Sequence, residues 1–262
     1  MTRFGSTTTT ACALAALSLS APAAAQDGEA PRRTRVALGP QLVPSYPGSD
    51  QVALRPFVDA SRTRGDEPFP FEAADESFGF SLLQSGGFAA GPAVGFQGSR
   101  TSRDVGANLP KVGTTVEVGA FVQYQFLPEF RLRAEARRGL GGHEAWIGSV
   151  GADYIARDGD EWLFSVGPRV TLADGRYQRA YFGVAPEDAA PSGLPAYRPK
   201  GGVQALGATA GFLRQLNRRW GVSTFVRYDR LIDDAARSPV VREFGSRNQF
   251  SGGVAATYTF GG

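Results

Sequence analysis

The sequence predicts an all-β fold: a transmembrane antiparallel up-and-down β-barrel of about twelve strands behind an N-terminal signal peptide. Three observations predict it. From Val36 to Phe260 apolar residues alternate with polar or small ones, the period of strands whose two faces meet different surroundings. The alternating segments run to about 9 to 13 residues, long beside soluble strands of about 5 to 6 and suited to tilted membrane strands of about 9 to 11. Aromatic residues gather at segment ends on the apolar face. Phe126, Phe130, Trp162, Trp220 and Phe260 flank short connectors, and Trp146, Tyr228 and Phe250 sit at the opposite ends, as two interfacial girdles require.

Residues 1–25 read as a signal peptide, with Arg3 as the positive start, Ala11 to Leu19 as a short apolar middle and Ala23-Ala24-Ala25 as the small-residue cleavage site. Cys12 lies inside that segment, so the mature chain carries no cysteine and works in an oxidising compartment without disulfides. Residues 26–35 read as a flexible periplasmic leader, and 36–262 as the barrel.

Twelve strand segments follow. They are Val36 to Val43, Val52 to Arg62, Pro68 to Ala73, Ser77 to Leu83, Phe88 to Gln97, Thr114 to Phe126, Phe130 to Arg138, Ala145 to Ala156, Glu161 to Leu172, Val203 to Gln215, Trp220 to Arg230 and Gln249 to Phe260. In the last, Phe250, Gly252, Val254, Ala256, Tyr258 and Phe260 share one face. In the sixth, only Phe121 spoils the polar face. An even strand number returns both termini to one side. Leu127-Pro128-Glu129, Arg157 to Asp160 and Leu216 to Arg219 are tight turns, and they alternate with long connectors near 99–113, 173–202 and 231–248. Short periplasmic turns and long outer loops are the rule for outer-membrane barrels. Unpaired backbone in hydrocarbon costs several kcal/mol, so the sheet is expected to close on itself.

Composition excludes several classes. No stretch reaches the roughly 18 apolar residues of a membrane helix. Cys12 and His143 are the only soft ligands, too few for zinc, and no cofactor or metal site is expected. Asp158-Gly159-Asp160-Glu161 lacks the spaced oxygens of a calcium loop and reads as a hairpin turn. The 28 basic residues nearly balance 25 acids, which leaves no nucleic-acid footprint.

Four local patterns resemble the MltA-interacting protein (MipA) / OmpV family of outer-membrane proteins. The first is Tyr46-Pro47-Gly48-Ser49. The second is Tyr181-Phe182-Gly183-Val184, followed by Ser192-Gly193-Leu194 and Tyr197. The third is Asp233-Asp234-Ala235-Ala236-Arg237-Ser238-Pro239-Val240-Val241, and the fourth is Gly245 to Phe250. The likeness covers essentially the whole mature chain, although family members usually end on the aromatic residue of the last strand and here Gly261-Gly262 follow Phe260. The resemblance implies an outer-membrane barrel of the Gram-negative envelope, with some members scaffolding a murein hydrolase and a murein synthase and others porin-like or adhesive. It implies no catalytic residue.

Each candidate site has two readings. The loop motifs (Tyr46, Gly48, Ser49; Tyr181 to Val184; Ser192, Gly193, Leu194; Asp234, Ala235, Ala236, Ser238, Pro239) form either a lid over the barrel mouth or a partner surface. Arg131, Arg133, Glu135 and Arg137, with Glu117, Arg169, Arg227 and Asp229, line the lumen as an anion-preferring constriction or as a mutually paired filling. His143 sits beside Glu144 in an outer loop and reads as solvated; Ser149 follows without a nucleophile signature. The expected function is a noncatalytic envelope scaffold contacting outer-membrane lipid and murein enzymes. The alternatives are a small-solute channel through the arginine-rich lumen and a lipid-modifying enzyme.

Overall fold

The computed structural model describes residues 30–261; the expected signal peptide, Cys12 and most of the leader lie outside the described residues. The strands are β1 (Arg32–Pro44), β2 (Val52–Arg64), β3 (Phe78–Gly79), β4 (Leu83–Ser85), β5 (Phe88–Gln97), β6 (Thr115–Leu127), β7 (Phe130–Leu140), β8 (Trp146–Asp158), β9 (Trp162–Ala173), β10 (Gly202–Gln215), β11 (Trp220–Leu231) and β12 (Asn248–Phe260). They form one antiparallel sheet in the order β2-β1-β12-β11-β10-β9-β8-β7-β6-β5-β3, with β4 also on β5. First and last strands pair, Thr34 opposite Phe260 and Leu42 opposite Gly252, so the sheet curls into a barrel. β1 begins at Arg32, so the expected leader gives its last four residues to the wall.

The alternation of the sequence becomes two faces. Leu38, Leu54, Val118, Val122, Val150, Val166, Leu206, Val226 and Val254 point outward and are exposed, whereas Glu117, Arg131, Glu135, Asp153, Arg169 and Thr209 are buried inside. Large apolar side chains on the outside and charges within reverse the arrangement of a soluble domain, and only a hydrocarbon surround makes it stable. Of the aromatic residues expected in the girdles, Phe126, Phe130, Trp146, Trp220, Phe250 and Phe260 are exposed on the outer face, and Trp162 and Tyr228 are half-buried on the same face.

Two expectations are corrected between β2 and β5. Residues 68–73 form no strand; Pro68 and Pro70 lack the N–H groups a ladder needs, and the segment instead runs through the lumen. Ser77 to Leu83 is not one strand but the broken pair β3 and β4. Phe78 faces Val94, while Leu83 faces Ala90, so the register slips by one residue between them. Among the described residues β2 makes no ladder with β3, β4 or β5, so the expected continuous cylinder has a seam there. Pro56, midway along β2, has no N–H to leave unpaired, and its carbonyl accepts from Gln41 Nε2 at 2.8 Å.

Five short helices sit in the long loops: α1 (Ser102–Val105), α2 (Gly175–Phe182), α3 (Pro186–Ser192), α4 (Asp233–Arg237) and α5 (Pro239–Phe244). Hence the mouth opposite the tight turns is covered, and the turn end carries both strand termini.

Candidate functional site: a lumen filled at two levels

The upper level is the loop cap. Tyr177, Tyr181 and Phe182 of α2, Ala235 and Ala236 of α4 and Val241 of α5 pack with Ala145, Ala173, Ala205 and Leu231 of the wall and its loops into one apolar cluster. Tyr46, Val105, Leu109, Val184, Leu194 and Val240 form a second. The capping polar groups are mostly spent on backbone. Ser238 Oγ donates to the Phe182 carbonyl at 2.8 Å and accepts from Val240 N–H at 3.2 Å. Gln249, at the start of β12, accepts from Gly48 N–H at 3.0 Å and donates to the Ser49 carbonyl at 2.9 Å. Gly48 sits at φ 94° between Phe182 and Val241, where a Cβ would press on both at 3.0 Å. Tyr197 Oη donates to the Asp234 carbonyl at 2.9 Å, and Lys200 N–H donates to Asp234 Oδ2 at 2.7 Å. Arg100 donates to the carbonyls of Tyr181 at 3.1 Å and Pro110 at 2.8 Å. Gly183 and Ser192 are half-buried and Gly193, at φ 71°, ends α3 in the open.

The structure thus gathers Tyr46, Gly48, Ser49, Tyr181, Phe182, Val184, Leu194, Ala235, Ala236, Ser238 and Pro239 in buried packing over the mouth. The solvent-reaching fringe of these motifs is Gly183, Ser192, Gly193 and Asp234, together with the exposed Asp233 and Arg237 and the half-buried Pro47 and Tyr197.

The lower level is residues 65–77, which enter at the tight-turn end and climb inside the barrel. Phe69 is anchored there: its N–H donates to Asp160 Oδ1 at 2.9 Å, its carbonyl accepts from Arg157 at 2.9 Å, and Arg35 stacks on its ring at 4.4 Å. Higher up, Asp75 bonds Arg169 at 2.8 Å and Arg227 at 2.9 Å. Glu76 bonds Arg131, and Arg133 lies 3.5 Å from it. Ser77 Oγ donates to Glu135 at 2.8 Å and accepts from Arg137 at 2.6 Å.

The eight expected lumen charges are all in this network. Arg131 also reaches Asp153 at 2.6 Å, Arg169 reaches Asp153 at 2.7 Å, Arg227 pairs Asp229 at 2.5 Å, and Arg137 pairs Glu117 at 2.9 Å and Glu135. Arg133 pairs Glu135 at 3.4 Å and lies over Phe121 at 3.8 Å, so the aromatic residue that interrupts the polar face of β6 seats a guanidinium. Asp75, Glu76 and Asp153 were missed from sequence. The signal was a charge imbalance: the expected set holds five arginines against three carboxylates, and desolvated cations demand partners.

His143 is a further correction. It is buried, not solvated, because Gly141 and Gly142 fold the loop inward over β6. Its Nδ1 accepts from Ala145 N–H at 3.1 Å, which places the ring proton on Nε2, 3.1 Å from Glu117. Tyr177 packs on its ring at 4.9 Å. Both ring nitrogens are committed, and the arrangement serves packing.

An antiparallel barrel with an oily exterior, a charged interior and aromatic girdles defines an outer-membrane-type β-barrel protein. The chain belongs to the MltA-interacting protein MipA family, whose model matches residues 36–260. No protein of curated function matches it. Among solved structures it is similar to Pseudomonas putida OprB, at 11% identity and TM-score 0.38 over 68% of this chain and 46% of that one, so it spans less than half of OprB. It is also similar to the outer membrane protein OprG of Pseudomonas aeruginosa, at 12% identity and TM-score 0.25 over 88% of this chain and 97% of that one. The toluene transporter TbuX of Ralstonia pickettii matches at 10% identity and TM-score 0.30, over 88% and 76% of the two chains. No activity is carried over from these three.

Proposed function

We propose that the protein is a noncatalytic outer-membrane barrel that acts through its surface, as an envelope scaffold for murein-remodelling enzymes. The observation that supports this reading is the double filling of the lumen. A channel spends its interior on a path, whereas here Asp75 and Glu76 tie a segment across the bore to arginines of β7, β9 and β11, and α2, α4 and α5 cover the mouth. The family name supplies the partner class, a murein lytic enzyme. Crosslinking in intact envelopes should capture such an enzyme or a murein synthase with this chain; capture of neither would remove the scaffold reading.

The noncatalytic reading rests on the commitment of His143 to Ala145 and Glu117. Loss of lipid turnover in the His143→Ala variant would contradict it. The channel reading requires residues 65–77 to leave the lumen. Planar bilayers with the purified protein should stay silent, and steady conductance by the intact chain would favour a channel over a scaffold.

A further inference from the structure

The tight-turn rim is electrically lopsided. Over the consecutive strands β10, β11, β12, β1 and β2 it carries Arg214, Arg218 and Arg219 at one side and Arg62 at the other, with Arg32 and Arg64 beside it. Residues 213–221, 257–261, 30–36 and 60–64 contain no carboxylate, and Asp66 and Glu67 are the first acids after β2. The opposite sector, at the turns of β6 to β9, carries exposed Glu129, Asp158 and Glu161, while its Asp160 turns inward to Arg33 of β1 at 3.1 Å and to Arg157 at 3.2 Å.

Strand parity fixes where two of these arginines point. On β2, Leu54, Val58 and Arg62 alternate outward with Phe57, Asp59 and Ser61 inward, so Arg62 faces the membrane; on β10, Phe212 and Arg214 do the same. Both stand at girdle height, since Arg62 and Phe260 flank Thr34 and Arg214 is opposite Trp162. Between them lies an aromatic shelf, Trp220 edge-on to Tyr258 at 4.8 Å and Tyr258 to Phe260 at 4.6 Å. Arg62, Arg214, Arg218 and Arg219 are exposed and form no ion pair among the described residues. Four strand spacings separate Arg62 from Arg214, an arc of about 19 Å, wide enough to meet more than one headgroup.

We propose that this sector is a binding site for anionic phospholipid of the periplasmic leaflet, with Arg62, Arg214, Arg218 and Arg219 holding headgroup phosphates and the Trp220–Tyr258–Phe260 shelf seating the glycerol and upper acyl region. Unpaired guanidinium groups on a lipid-facing surface need a counter-charge at headgroup depth, and a planar fork with several donors suits a phosphate. The acidic sector repels the same lipid, so the bound shell is one-sided. This inference needs only the barrel in its membrane and is independent of the scaffold reading.

The test uses the full mature chain folded in mixed micelles of phosphatidylglycerol and phosphatidylcholine in equal amount, with native mass spectrometry reading the lipids retained. Phosphatidylglycerol should be retained roughly fivefold or more over phosphatidylcholine. The variant with Arg62→Gln, Arg214→Gln, Arg218→Gln and Arg219→Gln should bring the ratio close to one, and lysine at the same four positions should keep most of the preference. Heat-modifiable gel migration reports whether the variants fold. The turn pair Arg218→Gln and Arg219→Gln, which leaves every strand intact, should lower the ratio by itself. Equal retention of both lipids by the parent, or an unchanged preference in the four-site variant, overturns the proposal. So does a variant that loses binding to isolated murein sacculi while its lipid preference persists, since the sector would then be a polymer surface.

Discussion

The cap and the lumen segment close the same bore by opposite chemistry. At the mouth, Tyr177, Tyr181, Phe182, Ala235 and Val241 fill space with apolar volume. Midway down, Asp75, Glu76 and Ser77 fill it with polar contacts to Arg169, Arg227, Arg131 and Arg137. The difference teaches where redundancy lies. Arg131 shares Asp153 with Arg169 and Glu76 with Arg133, so deletion of Arg131 leaves both of these carboxylates a cation. A packed ring has no such deputy; its removal leaves a hole.

That contrast is sharpest in stability. Phe182→Ala, at a fully buried ring, should cost about 4 kcal/mol, read from urea unfolding followed by tryptophan emission. A loss below about 1 kcal/mol would show the cap to be loose and would break the comparison. Arg131→Met should cost somewhat less, about 3 kcal/mol, because its carboxylates keep their second partners. Pairing this variant with Arg169→Met removes both cations from Asp153, and the combined loss should exceed the sum of the two singles. Tyr181→Phe should change stability by less than about 1 kcal/mol, because the Tyr181 hydroxyl has no hydrogen-bond partner among the described residues and only the ring is packed.

The smallest effect lies at the fringe of the cap. Hydrogen bonding from Lys200 N–H and then from Arg237 holds the Asp234 carboxyl below its ordinary value. Its contribution is therefore complete well above the ordinary aspartate pKa of about 3.9 and fades as pH falls through the lower folded-state value. Amide exchange at Lys200, corrected for its intrinsic rate, should accelerate a few-fold in acid, and Asp234→Asn should flatten that dependence. Acid-insensitive exchange in the parent would show that this contact does not hold the loop.

The wall was legible because its two faces meet different solvents. Phe130, Leu132, Ala134 and Ala136 alternating with Arg131, Arg133, Glu135 and Arg137 admits only an oily side and a charged side. The lumen segment was not legible for the same reason. Phe69 and Phe71 alternate with Pro68, Pro70 and Glu72, and a period of two marks extended chain without saying whether that chain lies in the wall or inside it. The cap residues were visible through resemblance alone, since short helices such as α4 and α5 are too brief for a periodic signal. The burial of His143 depends on the inward fold of Gly141-Gly142 and on Glu117, 26 residues away, which no local pattern encodes.

The seam between β2 and β3 bears on how such a molecule is put together. Both tethers of residues 65–77 lie at that discontinuity, one at the foot of β2 and the other at Phe78. The segment can therefore slide sideways into the bore, so stitching of β1 to β12 and occupation of the interior need not wait on one another, and no free end is ever passed through a finished ring.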